Sequence, residues 1–230
     1  MFFTFIIQAR LGSKRFPNKV LNKIDNKTVL EHVISRLKNV RFKNRVIIAT
    51  SNKKRDKKII KIAKKNNCLF YAGSENNVLE RFYKAAKKYK VKNLIRVSAD
   101  SPFIDPKIIE KAEKIYKKNK YDYVSNIIKP SYPKGMSVEF CNFKSIKTAH
   151  YLTVSKFDKE HVTSFIYKRP DIFRIKNFKL KKSFRKYRFT VDYRKDLVLY
   201  EKLYKKICEL KIKDVFSMKN LIYLVKNNDY

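Results

Sequence analysis

Glycine is the scarcest structural signal in this 230-residue chain: Gly12, Gly73 and Gly135 are the only three, roughly sixty residues apart. That spacing excludes the GxGxxG dinucleotide fingerprint and the GxxxxGK[ST] phosphate loop, each of which needs several glycines in one short stretch. The usual nicotinamide dehydrogenases and P-loop kinases are excluded with them. Cysteine is equally sparse. Cys68, Cys141 and Cys208 are odd in number, far apart and without CxxC spacing, so neither a disulfide framework nor a zinc site is suggested and reduced, buried thiols are expected. Long apolar runs are also missing. The first one breaks at Gln8 and Arg10, and no later window approaches the roughly 20 apolar residues of a membrane span. We therefore expect no membrane span and place the protein in the cytoplasm.

Negative charge is the last shortage, with 20 Asp and Glu against 57 Lys and Arg and a formal net charge of +37. Such a field attracts polyanions, so a basic nucleic-acid-binding protein is one class of function to weigh. The lysines, however, are spread over nearly every helical stretch. In KKRDKKIIKIAKK (53–65) they surround a buried stripe of Ile59, Ile60, Ile62 and Ala63. That pattern marks solvated helix faces rather than a recognition arm, and no specific nucleic-acid partner is expected.

At 44% hydrophobic content the chain can bury a full core, and it reads as one domain over residues 1–230. Strands are expected at FFTFII (2–7), RVIIAT (45–50), CLFYA (68–72) and NLIRVS (93–98). Helices follow each of them. Thr28 with Glu31 forms a capping-box signature before TVLEHVISRLKNV, NVLERFYKAAKKYK covers 77–90, and Asp105-Pro106 opens PKIIEKAEKIYKKN. This alternation predicts an α/β fold, a mostly parallel sheet with helices on both faces. DYVSN (122–126), MSVEFC (136–141), FRIKNFKL and RFTVD look like further strands, residues 143–168 carry two helical patterns, and helices close the chain at about 194–210 and 218–226. Residues 125–185 form an irregular inserted region. His32 and His150 are expected on the surface or in packing.

Ligands of open α/β sheets bind beyond the carboxyl ends of the strands. The loops there are QARLGSKRFPNK (8–19) and ADSPFIDP (99–106). In the first, Gly12 allows close backbone approach, backbone N–H groups and Ser13 can donate to phosphate oxygens, and Arg10, Lys14, Arg15 and Lys19 supply charge. It is suited to gripping a triphosphate.

IIQARLGSKRFPNKVL, VLEHVISRL, IIATS, AGSENNVLERFYKAA, VSADSPFIDP, DYVSN, EHVTSFIY and FTVDYRKDL, in this order, resemble the cytidylyltransferases of the spore-coat polysaccharide SpsF group, relatives of the CMP-KDO and CMP-sialate synthetases. The resemblance spans essentially the whole chain. It implies a Rossmann-like nucleotide-diphospho-sugar-transferase fold, with CMP transferred from CTP to an acidic sugar or related acceptor, Mg²⁺ as cofactor and pyrophosphate released. It further implies that Arg10 and Lys19 are the catalytic cations and that Ala9, Arg10, Leu11, Gly12, Ser13 and Lys19 bind the nucleotide. Ser98, where the KDO enzymes carry Gln of a Gln-Gly-Asp, is grouped with them. Arg81 is either a base contact or a helix-surface cation. Asp100 and Asp192 match the magnesium ligands, although Asp100 can also be read as a loop cap beside Pro102.

Acceptor contacts are expected at Asn126, Lys134, Gly135, Glu139 and His161. Lys134 can pair with a carboxylate or phosphate. His161 can instead be a buried, hydrogen-bonded histidine near a helix start. The resemblance also implies a homodimer, and Phe140, Phe143, Tyr151, Phe165 and Tyr167 are aromatics that a small sheet cannot easily cover. Other nucleotides, a non-sugar phosphorylated acceptor and a glycosyltransferase stay open as alternatives. The last usually needs a DxD pair, and Asp100-Ser-Pro lacks the second aspartate.

Overall fold

The computed structural model describes residues 1–210 and 216–227. Their order is β1 (Phe3–Gln8), a small hairpin of β2 (Lys23–Ile24) and β3 (Lys27–Thr28), α1 (Val29–Lys38), β4 (Asn44–Ser51), α2 (Lys57–Lys65), β5 (Leu69–Gly73), α3 (Val78–Lys88), β6 (Asn93–Ser98) and α4 (Pro106–Asn119). Then come β7 (Tyr123–Ser125), β8 (Glu139–Asn142), α5 (Phe143–Leu152), α6 (Lys156–His161), α7 (Ser164–Tyr167), β9 (Ile175–Asn177), α8 (Arg194–Glu209) and α9 (Met218–Asn227).

The main sheet has the order β5-β4-β1-β6-β8-β7-β9. Its first four strands are parallel, joined through helices, and β8 alone runs against both neighbours. The pleat of β1 divides the core. Phe3, Phe5 and Ile7 face α1, α4, α8 and α9, while Ile6, with Ile47 and Ala49 of β4, faces α3, α5 and α7. Both faces are covered, which is why these strands read as continuous apolar runs.

Local signals set the helix starts as expected. Thr28 Oγ1 accepts from Glu31 N at 3.2 Å while Glu31 Oε2 accepts from Thr28 N at 2.9 Å, a complete capping box. Asp105 Oδ1 caps α4 through Lys107 N at 2.8 Å, and its Oδ2 holds Met218 N at the start of α9 at 2.9 Å.

Four expectations need correction, the first being that all three thiols are buried: Cys68 and Cys141 are, but Cys208 is exposed. RFTVD is not a strand: it runs as extended chain with a single bridge between Arg188 and Lys134. Residues 143–168 form three helices rather than two. Of the five aromatics expected to lie uncovered, Phe140 is fully buried against Phe3 and Tyr116, Phe165 is buried where α5 and α7 close over the second face of the sheet, and only Tyr151 is exposed. His32 is buried, with Nε2 2.8 Å from Ile24 O, and His150 stacks on Tyr83.

Candidate active site

The loop after β1 is fixed from below. Leu11 is buried, and its N–H donates to Asp56 Oδ1 at 2.9 Å, while Asp56 Oδ2 accepts from Ser51 Oγ at the end of β4. The loop closes where Asn18 N donates to Leu11 O at 3.2 Å. With its backbone held there, Arg10, Gly12, Ser13, Lys14, Arg15 and Lys19 line a cavity of about 730 Å³ whose other walls include Arg55, Glu75, Ser98, Asp100 and Glu160. Gly12 has a specific reason. A Cβ there would lie 2.5 Å from Arg55 Nη2 and 2.7 Å from Glu75 Oε1, so the glycine makes room for an ion pair folded across the loop.

Two acidic loops meet at one lysine. Lys19 Nζ lies 2.6 Å from Asp100 Oδ2 and 2.9 Å from Asp192 Oδ1, bringing together residues far apart in the sequence. A backbone bond from Val191 N to Asp100 O, 2.9 Å, ties the two loops directly. Asp192 also pairs with Arg15 and Arg188, each at 3.1 Å. Burial opposes ionisation of Asp192, but the Lys19 hydrogen bond and the charges of Lys19, Arg15 and Arg188 outweigh it and hold the carboxyl below its ordinary value. Asp196 shapes this corner: its Oδ2 accepts from the backbone of Asp192 and of Tyr193, each at 2.8 Å, and from Arg188 at 2.7 Å.

Arg81 is not a surface cation. Its side chain is buried, Nη1 donates to Ser74 O at 2.6 Å, and burial, followed by the repulsion of Arg10, lowers its pKa to about 10, still protonated at neutral pH. It borders an annex of about 110 Å³ with Ala9, Arg10, Val78, Glu160 and His161. His161 is exposed, at the last position of α6, with its ring 4.2 Å from that of Phe157. The buried histidine near a helix start is thereby corrected.

On the other side of Ser98 and Asp100 opens a cavity of about 330 Å³, bounded by Arg96, Lys134, Gly135, Glu139, Arg185 and Asp192. A further 210 Å³ space shares its Ile127, Ser137 and Arg185 wall. Lys134 and Arg185 are exposed here. Gly135 allows the backbone at Phe189 to approach closely: it has φ +91°, and a Cβ would sit 2.0 Å from Phe189 O. Asn126 and Glu139 border these spaces while also being tied into the fold. Asn126 donates to Met136 O at 2.8 Å and accepts from Val138 N at 2.9 Å. Glu139 accepts from Arg96 Nη1 at 2.5 Å, from Tyr123 OH at 2.6 Å and from Thr163 Oγ1.

Comparison with known proteins decides the family. A cytidylyltransferase family model matches residues 4–223. The chain belongs to the cytidylyltransferase family. It is a CTP-dependent nucleotidyltransferase. It is 36% identical over 204 residues to an uncharacterised protein of Methanocaldococcus jannaschii, covering 87% of this chain and 82% of that one. It is 30% identical over 233 residues to the spore coat polysaccharide biosynthesis protein SpsF of Bacillus subtilis, covering 97% and 94%. Among solved structures, a cytidylyltransferase from Leptospira borgpetersenii superposes with a TM-score of 0.87 at 26% identity, covering 99% of this chain and 94% of that one. The fold is the expected nucleotide-diphospho-sugar-transferase type.

In this cytidylyltransferase the basic cavity and the adjoining one share Ser98 and Asp100, so two ligands placed in them would meet at the end of β6. Asp56, Arg55, Glu75, Asp196 and Arg185 escape the sequence reading. Asp56 and Arg55 lie inside a lysine-rich run that reads as solvated helix, Glu75 sits in a loop, and Arg185 is one cation among many. Among the described residues no helix is long and apolar enough to cross a membrane, and no cluster of three or more His, Cys, Asp or Glu could hold a metal.

Proposed function

We propose that this cytidylyltransferase, working in the cytoplasm, transfers CMP from CTP to an acidic sugar, with release of pyrophosphate, for a surface polysaccharide or related glycoconjugate. The observation that carries this reading is the meeting of Lys19, Asp100 and Asp192 at the junction of a cation-lined cavity and a second cavity bordered by Lys134 and Arg185. The name of the Bacillus subtilis relative supports the polysaccharide context. Lys134 and Arg185 are suited to an acceptor carboxylate, since among the described residues no carboxylate pairs with either.

Arg10, Ser13, Lys14 and Lys19 would hold the triphosphate, as cations and donors gathered on one loop. Their charge stabilises the pyrophosphate as the bond from the α-phosphorus to its leaving oxygen breaks and the acceptor oxygen forms the new one. Asp100 and Asp192 fit Mg²⁺: two carboxylates that already converge on one cation supply the hard oxygen donors it prefers, leaving further positions to phosphate and water. When bound, Mg²⁺ would add Lewis-acid stabilisation of the charged phosphates. Homodimerisation is part of the reading, because Tyr151 and Leu152 at the end of α5, Val154 on the link and Phe157 at the start of α6 are exposed apolar side chains. A monomer mass by light scattering would remove that part alone.

The test is pyrophosphate release from each of the four nucleoside triphosphates against a panel of acidic sugars and phosphorylated metabolites, with and without Mg²⁺. Turnover is expected with CTP, an acidic sugar and Mg²⁺. Asp192→Asn should raise the Mg²⁺ concentration needed and cut the maximal rate. Retention of both rate and magnesium dependence by that variant would refute the metal role of Asp192.

A further inference from the structure

α6 ends in an unusual turn. Val162 has φ 60° and ψ −61°, and Thr163 N–H donates to His161 O at 2.6 Å. This is the γ-turn of positive φ, rare and strained even for permissive residues and more so for a β-branched one. The surroundings impose it. The Val162 side chain is fully buried, Thr163 Oγ1 donates to the buried Glu139, and Asp158 in the middle of α6 accepts from Ser164 Oγ at 2.5 Å and Thr153 Oγ1 at 3.4 Å.

What the strain achieves is placement. Glu160 and His161, the last two residues of α6, border the 110 Å³ annex beside Arg10 and Arg81. Arg81 is anchored by Ser74 O, and its Nε is a buried polar atom with no hydrogen-bond partner. One carboxylate therefore faces arginine donors across a space that can receive the edge of a single base. Glu160 is held only loosely, with Oε1 3.6 Å from Arg10 Nη2 and both side chains well exposed. A triphosphate that engaged Arg10 would leave this carboxylate free.

The edge of cytosine presents an amine beside a ring-nitrogen acceptor, whereas uracil presents a carbonyl beside an N–H. A carboxylate accepts from the first and repels the second, and arginine serves the acceptor positions. We propose that Glu160 is a specificity-determining residue that accepts from the exocyclic amine of cytosine and rejects uracil, with Thr163 as the positioning residue that keeps the Val162 turn wound. This rests on the assignment of CTP as the nucleotide.

The experiment is calorimetric titration of CTP, UTP and dCTP, each with Mg²⁺, into the wild type, Glu160→Gln, Thr163→Val and Thr163→Ser. The amide of Glu160→Gln can donate to uracil as well as accept from cytosine. The preference for CTP over UTP should therefore fall about tenfold or more, with the CTP to dCTP ratio unchanged. Thr163→Val should shift the preference the same way, and Thr163→Ser should restore it. A wild type that binds CTP and UTP alike would sink the assignment of the nucleotide itself. A wild-type preference that survives in Glu160→Gln overturns the role of Glu160, as does a change confined to the CTP to dCTP ratio, which would put the carboxylate on the ribose. Should Thr163→Val fail to fold, Glu160→Gln decides alone, since its exposed side chain is not needed for packing.

Discussion

Residues 1–105, which carry the basic loop, and residues 122–192, which wall most of the second cavity, are built by different means. In the first, β1, β4, β5 and β6 are five to eight residues long, parallel, and each followed by a loop at the same sheet end. Much of the bonding that shapes these loops is local: Thr28 with Glu31, and Asn77 capping α3 through Glu80 N at 3.0 Å. In the second, β7, β8 and β9 are only three or four residues long, and β8 is reversed. Distant polar clasps hold that part together. Ser131 accepts from Leu180 N at 2.8 Å and Phe184 N at 2.7 Å, and Asp122 accepts from Arg174 N at 3.0 Å. The cation-lined loop follows from repeated strand-loop units, while the wall of the second cavity follows from groups meeting across long stretches of chain.

The contrast can be broken first at its centre. Lys19→Ala should lower kcat on the order of a hundredfold or more, about 3 kcal/mol of lost stabilisation, with an unchanged circular-dichroism spectrum. A near wild-type rate at saturating acceptor would remove Lys19 from the chemistry. Next, the two glycines should respond in opposite ways. Gly135→Ala meets backbone at 2.0 Å and positive φ, and it should cost about 3 kcal/mol, read as a Tm lower by roughly 6 to 12 °C. Gly12→Ala meets only the movable ends of Arg55 and Glu75. It should leave Tm nearly in place and weaken CTP binding instead.

A smaller effect separates the two cavities. Lys134→Ala should raise the acceptor KM about fivefold, as loss of one exposed ion pair allows, with little change in the KM for CTP. A reversed pattern would exchange the roles of the cavities. The smallest effect is one of pH. Burial disfavours the charged form of Glu31, but hydrogen bonds from Thr28, Lys65 and Asn66 outweigh this and bring its pKa down from 4.5 to about 2. A depressed folded-state value stabilises above the unfolded pKa. The stability gap between the wild type and Glu31→Gln should therefore be full at neutral pH and close as the pH falls from about 4.5 towards 2, as followed by thermal melts.

The structure of residues 1–105 is largely legible in the sequence. Thr28 and Glu31, Asp105-Pro106 and the loop from Gln8 to Lys19 each carry their geometry in a few adjacent residues. RFTVD misled because Phe189 and Val191 are buried with the alternation of a strand, yet the backbone bonds of this stretch are split between two loops, with Phe189 N on Lys134 O at 2.7 Å and Val191 N on Asp100 O at 2.9 Å. Sequence pattern reports which side chains are buried, not which backbone lies alongside. Arg55 and Arg185 were hidden by abundance. Against a background of 57 cations, a functional arginine has no contrast, and only its place beside a cavity distinguishes it. Asn126 and Glu139 are expected acceptor contacts, but their partners in the fold, Met136, Val138, Arg96 and Thr163, cannot be read from spacing.

The bond from Lys19 to Asp192 spans 173 positions, and this has a consequence for how the protein comes into being. At ribosomal speeds of 5–20 residues per second, about 10 to 30 s pass between the emergence of the basic loop and that of its second acidic partner. During that interval the parallel strands can assemble, but Lys19 has only Asp100 to balance it. A fragment ending before Asp192 would thus carry the whole QARLGSKRFPNK loop and still lack a finished site. Catalytic competence would arrive as a single event, after the parallel strands are already in place.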